Sequence, residues 1–126
     1  MNSEKKLPGV MIVDDEAMIQ RTVARSLKNQ YTVHTASSAE EALMLLSGGV
    51  AVDLIVSDYN MGGLDGLAFY DRLLAMSMSP PLFLLMSGSS ASPELFEGAR
   101  QRGLEILLKP FGSRTLESKL AELLAA

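Results

Sequence analysis

Cysteine is absent from this 126-residue chain. Disulfides and thiolate chemistry are thereby excluded, and a reducing compartment is compatible. Histidine occurs once, as His34. A lone imidazole in a strand-like segment reads as a packed or solvated side chain, not as a phosphodonor or metal ligand by itself. Positive charge is in deficit: 11 Lys and Arg stand against 15 Asp and Glu, a formal net charge of −4. Direct nucleic-acid contact needs a basic surface that this balance does not supply. No apolar run approaches the ~18 residues of a membrane span. The polar start, residues 1–9, lacks the apolar core of a signal peptide and reads as a short tail. Internal repeats and low-complexity tracts are missing too. What remains is a single domain of ordinary size over residues 10–126, expected in the cytoplasm. Its 48% hydrophobic content is enough for a real core.

The chain is organised around Val52-Asp53-Leu54-Ile55-Val56-Ser57-Asp58. This is an apolar run of strand length, rich in β-branched residues, and it ends on a carboxylate. A strand apolar on both faces belongs inside a parallel sheet covered by helices. Other short apolar runs share its character: Val10 to Val13, Leu82 to Met86 and Leu104 to Leu108. Tyr31 to Ala36 alternates only partly, as an edge strand does.

Between these runs lie helical segments. Met18, Ile19, Val23 and Leu27 form one apolar stripe. Met11, Met18 and Met86 all fall at core-like positions, so packing accounts for them. Ser38-Ala39-Glu40-Glu41 fits a capping box ahead of a helix that stops at Gly48-Gly49. A third helix covers Leu67 to Met76, and Pro80-Pro81 breaks the chain after it. Ser92-Pro93 starts a polar fourth helix that Gly103 ends. Ser113 serves as cap for a fifth, carrying Leu116, Leu120, Leu123 and Leu124.

Five strand-helix units in strict alternation predict an α/β fold. The expected form is a doubly wound, flavodoxin-like five-stranded parallel sheet of order 2-1-3-4-5, with helices on both faces. In such sheets ligands bind beyond the carboxyl ends of the strands. Those ends carry Asp14 and Asp15 (first strand), Asp58 (third), Ser87 (fourth) and Lys109 (fifth). Three carboxylates brought together repel, and one takes up a proton unless a cation is present. An all-oxygen site suits a hard divalent ion, and Mg²⁺ is the ion usually held by one or two carboxylates plus water and phosphate oxygens. The ion, an ammonium and a hydroxyl together neutralise a phosphoryl group in transfer. Asp58, nearest the centre, is then the acceptor.

Asp14-Asp15, Asp58, Ser87 and Lys109-Pro110 at these ordered positions resemble the receiver domain of two-component response regulators, the CheY-like family, over nearly the whole chain. The resemblance implies that Asp58 accepts a phosphoryl group from a phosphohistidine of a sensor histidine kinase or phosphotransfer protein. It implies Mg²⁺ held by Asp15 directly, by Asp14 through water, by Asp58 and by the Asn60 backbone carbonyl. Ser87 and Lys109 would contact phosphoryl oxygens, and Pro110 would follow a cis peptide bond. The partners implied are the phosphodonor and a downstream effector protein or domain, with no membrane and no nucleic acid contacted by this domain. No reaction is implied beyond phosphorylation and dephosphorylation of the domain itself. Asn60 and Ser89 would flank the path of an attacking water; both are small and polar, which implies a short-lived phosphoaspartate.

Two positions depart from the family pattern. Gly62-Gly63 follows Met61 where proline is usual, and Ile106 stands where an aromatic residue often precedes the lysine. These two departures support the alternative, a degenerate receiver acting as a phosphorylation-independent interaction module. Taken singly, Asp14-Asp15 reads as a helix cap, Ser87 as a turn residue and Lys109 as a solvated charge. The full set in order favours the phosphoacceptor.

Overall fold

The computed structural model describes residues 7–77, 79–88 and 91–125. Among the described residues ten elements alternate: β1 (Gly9–Val13), α1 (Ala17–Leu27), β2 (Thr32–Ala36), α2 (Ala39–Ser47), β3 (Leu54–Asp58), α3 (Gly66–Met76), β4 (Leu82–Ser87), α4 (Pro93–Gln101), β5 (Glu105–Leu108) and α5 (Ser113–Ala125). All strand pairs are parallel, and the sheet order is β2-β1-β3-β4-β5, as the alternation predicts. No helix among the described residues is long and apolar enough to cross a membrane.

Strand alternation divides the core in two. Val10, Ile12, Leu54, Val56, Leu84 and Met86 face α1 and α5, where they meet Val23, Leu27, Leu116 and Leu120. Met11, Val13, Ile55, Phe83 and Leu85 face α2, α3 and α4, where they meet Ala42, Phe69, Leu73 and Leu95. Because each strand of β1 and β3 is apolar at odd and even positions alike, both faces must be covered. Phe83 takes two edge-to-face contacts, with Phe69 at 5.5 Å and Tyr70 at 5.2 Å, a geometry that ring quadrupoles favour. α3 and α4 are also joined outside the core. The Arg102 guanidinium donates to both Asp71 carboxylate oxygens, at 2.9 and 2.8 Å, and to the Gly98 carbonyl.

Three local expectations are corrected. Met18 is not a core residue but 71% exposed. Ile19, Val23 and Leu27 lie four apart on one line, and Met18 stands roughly 100° away from it around the helix. The capping box of α2 is half realised. Ser38 accepts from the Glu41 amide at 3.0 Å, but the Glu41 carboxylate accepts from Ser37, one residue before the cap. Ser113 is inside α5, and the Gly112 carbonyl takes the first helical bond, from Leu116.

Candidate functional site

Strand register carries the candidate residues to one end of the sheet. Val13 pairs with Ser57, so Asp14, one residue on, stands level with Asp58. Asp58 pairs with Met86 and Met86 with Leu107. Ser87 therefore lies one residue beyond the Asp58 level, and Lys109 two. Lys109 reaches back across β4. Its ammonium lies 3.1 Å from Asp14 Oδ2, 3.3 Å from Asp58 Oδ1 and 3.8 Å from Glu16 Oε1. The peptide bond from Lys109 to Pro110 is cis.

Carboxylate oxygens of Asp14, Asp15 and Asp58 lie within 4.8 Å of one another. Their surroundings differ. Asp14 is fully buried and Asp58 nearly so, while Asp15 is exposed. Both oxygens of Asp14 are engaged: Oδ1 accepts from the Glu16 amide at 2.9 Å and Oδ2 from Lys109. Burial pushes the Asp58 carboxyl up from its ordinary range, and the charges of Asp14 and Asp15 push the same way. Lys109 opposes them by charge and hydrogen bond without cancelling them. Burial alone would lower the Lys109 ammonium. Its hydrogen bond to Asp14 and the charges of Asp14 and Asp58 outweigh burial and hold it above its ordinary value.

Ser87 is buried at the end of β4, and its carbonyl accepts from the Lys109 amide at 2.7 Å. Asn60 follows β3 by two residues and is exposed, on the loop that leads to α3. That loop folds back on its own strand: the Gly66 amide donates to the Tyr59 carbonyl at 2.9 Å. A Cβ at Gly66 would lie 2.6 Å from the Leu85 side chain and 2.9 Å from the Asp58 carbonyl, so only glycine lets α3 start this close to the strand end. Asp65 caps α3 by accepting from the Ala68 amide at 2.8 Å. Ser89 lies outside the described residues.

Sequence spacing did not single out Gln20. Its side-chain amide donates to the Asp14 carbonyl at 2.6 Å, to Ser37 Oγ at 3.1 Å and to the Ala36 carbonyl at 3.2 Å, tying the acidic loop to the end of β2. Its position next to the Ile19 stripe marks it only as a flank of α1.

The sequence pattern of the response regulator receiver domain matches residues 10–121. The chain belongs to that family. Over 110 residues it is 30% identical to the C4-dicarboxylate transport transcriptional regulatory protein DctD of Rhizobium meliloti, covering 86% of this chain and 24% of that protein. It is 31% identical to the response regulator MprA of Mycolicibacterium vanbaalenii, covering 91% of this chain and 49% of that one. The receiver chain thus spans between a quarter and a half of these relatives. The chemotaxis protein CheY4 of Vibrio cholerae superposes with a TM-score of 0.78 at 30% identity, covering 92% of this chain and 98% of that one. The protein is a receiver domain of the two-component type, with the flavodoxin-like CheY fold.

Proposed function

We propose that this receiver accepts a phosphoryl group on Asp58 from a phosphohistidine of a sensor histidine kinase or phosphotransfer protein, in a Mg²⁺-dependent reaction in the cytoplasm. The observation that carries the reading is Lys109 bridging Asp14 and Asp58 while Asp15 stands within reach of both. The transfer breaks the phosphorus–nitrogen bond of the donor and forms a bond from phosphorus to an Asp58 oxygen. The imidazole leaves with the electron pair and takes up a proton. Asp58 must be ionised to attack, and its burial and acidic neighbours oppose that. Lys109 counters them and then pairs with a phosphoryl oxygen. Ser87 offers its hydroxyl to another.

The donor set fits Mg²⁺, an ion that keeps several waters and takes one or two carboxylates. Asp15 is exposed and would hold it directly; Asp14, with both oxygens engaged, would hold it through water. Asp58 and the Asn60 carbonyl would complete the protein's share. Bound there, the ion supplies positive charge against the phosphoryl oxygens. Incubation with acetyl phosphate and Mg²⁺ should add one phosphoryl group per chain, detected by mass. Asp15→Ala should lose both this modification and the amide shifts that Mg²⁺ induces near Asp14 and Asp58. Native Mg²⁺ affinity in Asp15→Ala would overturn the ligand set.

Phosphorylation is proposed to switch the face formed by α4, β5 and α5, where an effector protein or domain docks. Phe96 on α4 and Leu108 on β5 are exposed there, at 45% and 50%. Ile106 has no ring to swing and is stiff at its first torsion. The response must therefore run through the segment after Ser87 and through the start of α4, because Arg102 pins the far end of α4 to Asp71. Beryllofluoride should change hydrogen exchange most in residues 87–96 and least at Ile106. The reverse order would overturn this route.

A further inference from the structure

The loop that carries Asn60 is anchored at both ends and built from glycine in the middle. At its start the Tyr59 amide donates to the Met86 carbonyl at 2.9 Å. At its end Asp65 caps α3. Between them Gly62 and Gly63 stand where two glycines leave the backbone least restrained. Gly62 has nothing within 4 Å of where a Cβ would be.

Gly63 is different. Its φ is +86°, and a Cβ there would lie 2.7 Å from Glu40 Oε2 and 3.2 Å from Glu40 Oε1. The same carboxylate accepts from the Leu64 amide at 3.2 Å, across 24 residues of sequence. Glu40 comes from the first turn of α2, which is itself firmly seated. Ala39 and Ala42 are fully buried, and Ser38 caps the helix. The seated start of α2 thus holds one carboxylate against Gly63 and the Leu64 amide.

We propose that Glu40 is a positioning residue for phosphoryl acceptance. It does by a tertiary contact what a stiff residue in the loop would do locally, holding the Met61–Asp65 turn so that the Asn60 carbonyl stays in place as a ligand. This rests on the Mg²⁺-dependent reading of the site. Glu40 acts on the loop, through the Leu64 amide and its close approach to Gly63, and not on the acceptor itself. Glutamine at position 40 keeps an acceptor oxygen and preserves the function; alanine does not.

The test uses the full chain and three readouts. In Glu40→Ala the Leu64 amide should exchange faster, and Mg²⁺ affinity and the acetyl phosphate rate should each fall about 2- to 10-fold, the worth of one exposed hydrogen bond. Glu40→Gln should restore all three to near native. Gly63→Ala should lower Tm less in the Glu40→Ala background than in the native one, because crowding is relieved while the left-handed strain remains. Unchanged Leu64 exchange and Mg²⁺ affinity in Glu40→Ala, with labelling still dependent on Asp58, would overturn the role of Glu40 and leave the receiver chemistry standing. A native protein that takes up no phosphoryl group would overturn the receiver chemistry, while Leu64 exchange would still report the tether. If Glu40→Ala fails to fold, a Glu40→Gln variant that folds yet loses Mg²⁺ affinity overturns the proposal.

Discussion

Asp58→Asn is expected to melt at a higher temperature than the native protein when no divalent cation is present, and to take up no phosphoryl group at all. The loss of labelling follows from removing the acceptor oxygen's charge. The gain in stability follows from the sign of the perturbation. Burial first, then the charges of Asp14 and Asp15, raise the Asp58 carboxyl against the opposition of Lys109. A folded-state value above the unfolded one means that stability is fully present below the unfolded value, near 3.9. It is lost as pH rises through the folded value. At neutral pH the ionised carboxylate therefore weakens the fold, and a neutral amide of the same shape removes that cost. A gain of roughly 1 kcal/mol, about 3–6 °C in Tm, is expected at pH 7. It should shrink as pH falls through the raised folded-state value and be gone below about 4, where the carboxyl is protonated folded or unfolded. Mg²⁺ should raise the Tm of the native protein more than that of the variant, because a ligand stabilises the state that binds it. Surviving modification, or a variant less stable than native at pH 7, would sink the assignment of Asp58.

Removing Lys109 is expected to do the opposite to stability and to slow the reaction severely. Its ammonium is the cation between Asp14 and Asp58, and its side chain is only 18% exposed. Stripping one partner from a buried pair leaves charge uncompensated, at a cost of about 3–5 kcal/mol. Partial solvent access discounts this to roughly 2–3 kcal/mol here. Lys109 is held above its ordinary value, so its stabilising contribution is complete at neutral pH and fades only as pH rises through that higher value. Lys109→Met keeps most of the apolar stem and isolates the charge. That variant should unfold at lower denaturant concentration, and Mg²⁺ should recover part of the loss by supplying positive charge to the same carboxylates. Its acetyl phosphate rate should fall by about 10²- to 10³-fold, the usual consequence of losing one preorganised charge in a transfer site. Native stability without Mg²⁺ together with a native rate would show that Lys109 is an ordinary solvated cation.

Several features of the site were legible because they are local. Asp14, Ser87 and Lys109 each follow an apolar run directly, Asp15 and Asp58 come one residue later, and a strand end can be read from where the run stops. Glycine and proline marked the helix ends for the same reason: Gly49 and Gly103 adopt positive φ where α2 and α4 stop. Met18 was misplaced because an apolar residue one step off a stripe is indistinguishable by type from one on it. Glu41 was assigned the wrong amide because Ser37 and Ser38 are equally good donors until the entry angle of the chain is known.

The sequence by itself determined the alternation of strands and helices, hence the parallel sheet, and the set of side chains at its carboxyl end. Period, turn chemistry and chain length suffice for that, since parallel strands need crossovers and crossovers need helices. Tertiary structure alone decided which of those side chains meet. Lys109 finds Asp14 across 95 residues of sequence, Glu40 finds Leu64 across 24, and Gln20 finds the end of β2 across 16 and 17. Each pairing depends on strand register, on how a helix is rotated about its axis and on how far a flexible side chain extends. These quantities are set by packing two apolar layers against one sheet, and no local spacing encodes them.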